Sequence, residues 1–344
     1  MSKTVRIHVK WKIIAWAIQH GEKSYSDLSR NYSLKLWENP SKETDYPTLK
    51  QLQKFSNSTK IPFHYFLQDE VPEEKHSFVN FRTINNKEVI PSRRLIDTVH
   101  TMENRQAWMK DYLIEQGNII KFRSIDKIDS ELSIKDAANS ISNLLSFADF
   151  FKNSLDDNKF YNLLKKKISI LGILVMQNGI VNTDTHRKLD LNEFRAFALY
   201  DDTIPLIFIN SSDSVRGKIF SLIHELVHIL IGENEVLNAG PEVRTNKERW
   251  INAVTANILM PEEIVKSKIN SAKSDEENLE ILSRKFHTSL LATAIRSKEL
   301  HLFPNCDQLI EWARSEQEKN LIARKKKKDG GPDFYKSALS KIDR

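Results

Sequence analysis

The sequence predicts an α+β fold, in which a small helical module precedes a larger domain that combines a short β-sheet with helices. Three observations lead to this prediction. Apolar residues recur at helical spacing over residues 9–20 and in several stretches from residue 93 onward. Three short apolar runs, bounded by turn residues, lie between residues 168 and 210. A long apolar segment of helical character, residues 216–230, follows them directly.

Residues 1–70 are predicted to form the small helical module. The stretch VKWKIIAWAIQHG has its apolar side chains at helical spacing and ends at Gly21. Short helical segments follow, separated by an Asn-Pro and a Tyr-Pro pair. Thr48 is the expected N-cap of the helix LKQLQKFS, because its hydroxyl can accept a hydrogen bond from the first helical turn.

A linker and a helical region are predicted between this module and the sheet. Residues 71–92 are polar with prolines near both ends, which is typical of a linker. Residues 93–167 are predicted to contain one long amphipathic helix and two further helices, SELSIKDAANSISNLLSFADFF and NKFYNLLKKKISILG. The aromatic side chains of the long helix, Trp108 and Tyr112, are predicted to belong to the core. Residues 168–344 form the remaining domain, with a helical C-terminal part.

The pentapeptide HELVH lies in the middle of the long apolar segment. Because residues i and i+4 share one helical face, His224 and His228 can bind a single metal ion while Glu225 points to the same cavity. A catalytic zinc ion takes three protein ligands and one water molecule, so a third ligand is expected nearby. Glu248 is the candidate, since it begins the amphipathic helix KERWINAVTANILMP. The alternative is a surface helix with two unrelated histidines, but the apolar flanks favour a buried helix whose histidines need partners.

A sheet that precedes an H-E-x-x-H helix is the layout of the zincin fold. The edge strand of such a sheet offers unpaired backbone groups to an extended peptide. The sequence does not decide which side chain would stabilise an oxyanion. His287 and Tyr200 are candidates, and each is also readily interpreted as a packed or surface residue.

The segment from Asn192 to Pro261 resembles the ImmA/IrrE family of zinc metallo-endopeptidases. The shared motifs are a strand that ends in IFIN, the HELVH sequence, and the helix ERWINAVTANILMP. This resemblance implies a zincin-like domain that binds Zn²⁺. It implies zinc ligands at His224, His228 and Glu248, with Glu225 as the catalytic carboxylate.

The same resemblance extends to neighbouring positions and to the substrate. Asn210, Asp213 and Asn252 match recurrent family positions, as possible supporting or substrate-binding residues, and we interpret Asn252 as structural because a helix asparagine there would hold a ligand carboxylate or a loop backbone. The implied substrate is a single regulatory protein, such as a repressor or an antitoxin. The implied setting is a mobile element, phage defence or a toxin–antitoxin pair.

Residues 1–70 resemble the helix-turn-helix domain of Xre-type regulators, through W-x-N-P, PTLKQLQKF and IPFHYFL, and the FRT string in the linker is also shared. The predicted second helix, SDLSRNYSLKLWEN, carries Arg30, Asn31 and Lys35 as candidate DNA-binding residues. It has no glutamine, which departs from a typical DNA-reading helix. Two interpretations stay open: sequence-specific DNA binding, or a copy kept to hold a partner or to form a homodimer. A DNA-binding regulator or antitoxin with a structural zinc site is therefore the alternative function.

Composition limits the compartment and the partners. A net charge of +6, from 52 basic and 46 acidic residues, permits DNA binding without establishing it, and much of the excess lies in the run ARKKKK. We expect no membrane span, because no apolar run of about 18 residues is present. We expect no secretory signal, because the N-terminal apolar stretch is interrupted by charge and lacks a small-residue cleavage site. The single cysteine, Cys306, excludes an internal disulfide and favours a reducing, cytoplasmic location.

Overall fold

A computed structural model describes residues 5–74, 91–117, 122, 127–152, 155–232 and 241–326, with the backbone alone for 152, 241–245 and 320–326. The described parts form two compact units. The first unit draws on Met1–Ser77, Lys87–Thr101 and Ile180–Leu189, and the second on the rest of the chain. No helix in the described ranges has both the length and the apolar character needed to cross a membrane. Residues 75–90 of the predicted linker, and Lys327 and Lys328 at the end of the basic C-terminal run, lie outside the described residues.

The first unit begins with four short helices around an aromatic core. They are α1 (Trp11–His20), α2 (Tyr25–Ser29), α3 (Leu34–Glu38) and α4 (Leu49–Thr59). The N-cap prediction is confirmed, because Thr48 accepts a hydrogen bond from the backbone of Gln51 at 3.1 Å and the Gln51 side chain accepts one from Thr48 in return. The core residues of these helices and their flanks include Ile13, Ile14, Leu28, Leu34, Trp37, Leu52, Phe55 and Phe66.

The prediction of one helix over SDLSRNYSLKLWEN is wrong. Residues 30–33 instead form a turn that separates α2 from α3. The ring of Tyr32 packs edge-on against Phe55, with centroids 5.2 Å apart, and its hydroxyl lies 2.8 Å from the Ser58 hydroxyl. These tertiary contacts, together with the low helix propensity of Asn31 and Ser33, favour the turn.

A buried ion-pair network lies in the first unit. It joins the start of α5 (Arg93–Glu115) to a hairpin of β2 (Ile180–Val181) and β3 (Asp184–Lys188), which the sequence did not predict. Arg187 of β3 contacts Glu22 and Asp97 at 2.6 Å each. Arg93 contacts Glu74 at 2.6 Å and Asp97 at 2.7 Å. The hairpin gave no sequence signal because DTHRK has no alternation of apolar residues. These charges join three distant chain segments within one unit.

The second unit contains a three-stranded sheet covered by helices. Its central strand β5 (Leu206–Asn210) is parallel to β1 (Leu174–Asn178) and antiparallel to β4 (Ala196–Leu199). The three predicted strands and the α+β class are therefore confirmed. The helices are α6 (Ile134–Leu144), α7 (Ala148–Lys152), α8 (Asp157–Ile170), α9 (Val215–Leu230), α10 (Pro241–Leu259), α11 (Glu262–Lys266), α12 (Asp275–Lys285), α13 (Leu290–Glu299) and α14 (Cys306–Lys326).

Two helix predictions in this unit need correction. The stretch SELSIKDAANSISNLLSFADFF forms α6 and α7, because Ser146 takes a left-handed φ of 51° and interrupts the helix. The long helix α5 is present, but Trp108 and Tyr112 are not core residues, since they are 64% and 44% exposed. The opposite side of α5 is the packed one, where Gln106 donates hydrogen bonds to the Leu199 and Ile204 carbonyls at 3.0 Å each.

Candidate metal centre

Helix α9 carries HELVH through the core of the second unit. It begins after Ser214, whose hydroxyl accepts a hydrogen bond from the Gly217 amide at 3.0 Å. His224, Glu225 and His228 are at most 2% exposed. Apolar side chains bury the rest of the helix: Ile219, Leu222, Ile223, Leu226, Val227, Ile229 and Leu230.

Glu248 of α10 meets both histidines of α9. The Nε2 atoms of His224 and His228 lie 3.1 Å apart, and Glu248 carboxylate oxygens lie 3.4 Å from the first and 3.2 Å from the second. A tetrahedral zinc ion about 2.1 Å from each ligand separates the ligand atoms by about 3.4 Å. The three side chains therefore have the chemistry and the spacing that a zinc ion requires. Among the described residues they form one group able to hold a metal.

The electrostatics of this group favour an ionised carboxylate. Burial alone would raise the pKa of Glu248, but hydrogen bonds from His224 and His228 outweigh burial and hold the pKa well below its usual range. Glu225 is buried on the same helix between the two histidines and is not a member of the ligand group.

Further buried polar side chains lie on the helical faces that carry His224 and Glu248. Asn252, one turn after Glu248, has a buried side-chain oxygen without a hydrogen-bond partner in the described part of the chain. The hydroxyls of Ser221, one turn before His224, and of Thr255 on α10 are buried in the same way. Asn252 is predicted from the sequence, whereas Ser221 and Thr255 are not, although their helical spacing from His224 and Glu248 was the available signal.

Asn210 and Asp213 form the connection between β5 and α9. The Asn210 side chain is fully buried and accepts a hydrogen bond from the Ser212 amide at 3.1 Å. Asp213 accepts one from Arg195 at 2.7 Å. A Cβ atom at Gly217 would lie 2.5 Å from the Asp213 carboxylate, so a larger residue here would displace that side chain. These contacts set where α9 leaves the sheet, and hence where HELVH lies.

Tyr200 and His287 contact partners outside the ligand group. The Tyr200 hydroxyl donates to Asp202, and burial together with this acceptor raises the pKa of Tyr200. The His287 ring lies 2.6 Å from Asp157 through Nδ1 and 4.3 Å from the Phe160 ring. Both side chains have defined structural contacts, and neither belongs to the metal-binding group.

The three candidate DNA-binding residues are exposed around the turn between α2 and α3. Arg30 and Asn31 lie in the turn, and Lys35 lies in α3. With five residues, α3 is only about 7.5 Å long. Its exposed side also carries Leu36 and Glu38, and residues 5–74 contain ten basic and nine acidic residues. This composition lacks the positive surface that usually accompanies DNA binding.

A comparison with protein families gave a match for the segment that contains His224, His228 and Glu248. Residues 169–298 match the Peptidase_M78 family model, the IrrE N-terminal-like domain. The matched segment runs from the end of α8 into α13 and includes the whole ligand group. It supports a metallopeptidase of the ImmA/IrrE type for this segment, with a mixed α+β domain of the zincin kind. A comparison with curated proteins gave no match.

Proposed function

We propose that this protein is a zinc-dependent endopeptidase that cleaves one specific regulatory protein, of the repressor or antitoxin type, in the cytoplasm. The observation that carries the proposal is a pair of imidazole Nε2 atoms 3.1 Å apart, with one Glu248 oxygen 3.4 Å from His224 and the other 3.2 Å from His228, next to the buried Glu225. The family match over residues 169–298 supports the same reaction class. The regulatory substrate and its mobile-element, phage-defence or toxin–antitoxin setting rest on the sequence resemblance.

The roles of the side chains follow from their positions. His224 and His228 would hold zinc through Nε2, and Glu248 through a carboxylate oxygen. When bound, zinc would lower the pKa of a water ligand to near 7 and polarise the scissile carbonyl. Glu225 accepts the proton of the attacking water and delivers it to the amine nitrogen that leaves. The burial of Glu225 keeps this proton transfer away from bulk solvent.

Strand β4 is the surface we propose for the peptide substrate. The Arg195 carbonyl accepts a hydrogen bond from the Asn210 amide at 2.8 Å, and the register then pairs Phe197 with Phe208. Because hydrogen-bonded pairs alternate in an antiparallel ladder, the backbone N–H and C=O groups of Ala196 and Ala198 point away from β5. Ala196 and Ala198 are only 1% and 2% exposed, so an extended peptide would pair with this edge only after the residues that cover it move aside.

The experiment that tests this function separates metal binding from catalysis. Glu225→Gln should retain about one zinc ion per chain and reduce cleavage at least about a hundredfold, because it removes the general base and no ligand. Glu248→Ala is the matched comparison on the other side of the site, and it should lose zinc and activity together. The regulator encoded next to this gene is the first substrate to use. Normal cleavage by Glu225→Gln would refute the mechanism.

A DNA-binding regulator with a structural zinc site is the second candidate. The observation that favours it is the order of α2, turn and α3, with Arg30 exposed in the turn and Lys35 exposed in α3. The small excess of basic residues and the short α3 weaken it. If Glu225→Gln had no effect while loss of Arg30 and Lys35 did, this function would replace the peptidase.

A further inference from the structure

The C-terminal half of α5 presents aromatic side chains to solvent. Trp108 and Tyr112 are 64% and 44% exposed, and their rings stack with centroids 5.6 Å apart at an interplanar angle of 11°. Arg105 and Glu115 are also exposed, and neither has an ion-pair partner within the described ranges. These four residues, spaced three, four and three apart, form one stripe that we call the α5 face. A stripe with this spacing is the seam through which two helices pack.

The α5 face is complementary to itself. The midpoint between Trp108 and Tyr112 is residue 110, and the midpoint between Arg105 and Glu115 is also residue 110. A two-fold axis at that level, between antiparallel helices, brings each Trp108 onto Tyr112 of a second copy. The same axis brings each Arg105 onto Glu115 of the second copy. One operation therefore satisfies both the aromatic rings and the charges, as an isologous interface requires.

We propose that two copies of this chain form a homodimer through antiparallel packing of their α5 faces. The occupant of the face is a second copy because the unpaired charges match their own counterparts and are arranged with the symmetry of a dimer. Lys110, at the midpoint, is turned away from the face and contacts Asp201 at 2.6 Å, so it leaves the axis open. The packed side of α5 stays on the sheet through Gln106.

The size of the face determines the expected affinity. The distance from Arg105 to Glu115 is about 15 Å along the helix, so the interface is smaller than that of a stable standard-sized complex. We expect a dissociation constant on the order of tens of micromolar. Asp111 lies on one flank of the face, close to Asp111 of the second copy. Asp111→Asn should therefore strengthen the dimer about two- to threefold, as expected for removing a like-charge pair at an exposed rim.

Sedimentation equilibrium of the full-length protein, from about 1 to 300 µM, tests the proposal over the range where dimers of this affinity form. Trp108→Ala with Tyr112→Ala should weaken self-association at least about tenfold, because aromatic residues are the usual anchors of an interface. Arg105→Glu and Glu115→Arg should each weaken it, since each creates two like-charged contacts. The double exchange should recover the affinity of the unmodified protein.

An equimolar mixture of the two single charge variants supplies the sharpest control. Arg105→Glu and Glu115→Arg chains should form heterodimers with each other, because every contact in that pair joins opposite charges. All these residues are exposed, so zinc content and the unfolding temperature should not change. A monomer at every concentration, or association that is insensitive to these exchanges, would overturn the proposal. The result is independent of peptidase activity, so the dimer and the proposed function can fail separately.

Discussion

The buried ion-pair network in the first unit makes the N-terminal module inseparable from the start of α5. Glu74 and Arg93 have side chains only 4% and 2% exposed, and their atoms lie 2.6 Å apart. Glu74→Ala leaves the Arg93 guanidinium buried with Asp97 as its remaining partner. Removal of one member of a buried pair typically costs 3–5 kcal/mol, and the remaining partner places this case near the lower end, at about 3 kcal/mol.

Glu70→Ala is the matched control, because Glu70 lies four residues before Glu74 and pairs with Lys12 at the surface. The side chains of that pair are 81% and 42% exposed, so its loss should change the free energy of unfolding far less than the loss of the buried pair. Urea unfolding followed by tryptophan fluorescence measures both changes. Because about 3 kcal/mol in a unit of about 100 residues corresponds to more than ten degrees, thermal unfolding should show the difference as well.

A compensating variant tests whether the charge or the volume of Glu74 matters. Replacing the pair by Glu74→Leu with Arg93→Met should regain at least half of the stability that Glu74→Ala loses, since apolar pairs often substitute for buried ion pairs. Equal effects of Glu74→Ala and Glu70→Ala would refute the reasoning, and so would a compensating variant less stable than Glu74→Ala.

Three further predictions follow from the other sites. The double variant His224→Ala with His228→Ala should hold no zinc by elemental analysis, and full occupancy would show that the ligands are misassigned. If residues 1–70 read DNA, binding to fragments of the protein's own promoter should fall steeply with salt and disappear when Arg30 and Lys35 become Ala; we expect weak binding, and salt-insensitive binding would exclude phosphate contacts by these residues. Ala198→Pro removes one outward N–H of β4, so kcat/KM for a protein substrate should fall roughly three- to tenfold with zinc content unchanged, and an unchanged kcat/KM would count against pairing at this edge.

The sequence by itself determined those features that depend on neighbours along the chain. Helical geometry alone places His224 and His228 on one face, since residues four apart always share a face. The apolar runs predicted β1, β4 and β5, and Thr48 predicted the start of α4, because a strand core and a helix cap are each recognised within a few residues. Glu248 was selected from the helix after HELVH, and the structure places it 3.2 to 3.4 Å from the two imidazoles.

Only the tertiary structure decided the features that depend on contacts between distant segments. Periodicity reports that α5 has an apolar side, but it does not report which side meets the sheet, so Trp108 and Tyr112 were assigned to the core and lie in solvent instead. Arg187 pairs with Glu22, 165 residues away, and with Asp97, 90 residues away, and no local pattern encodes such partners. The polar β2–β3 hairpin could not be predicted from its own sequence, because the ion pairs that hold it in the first unit come from distant residues. Long-range pairing of buried charges depends on which elements fold together, and a single sequence read one window at a time does not contain that information.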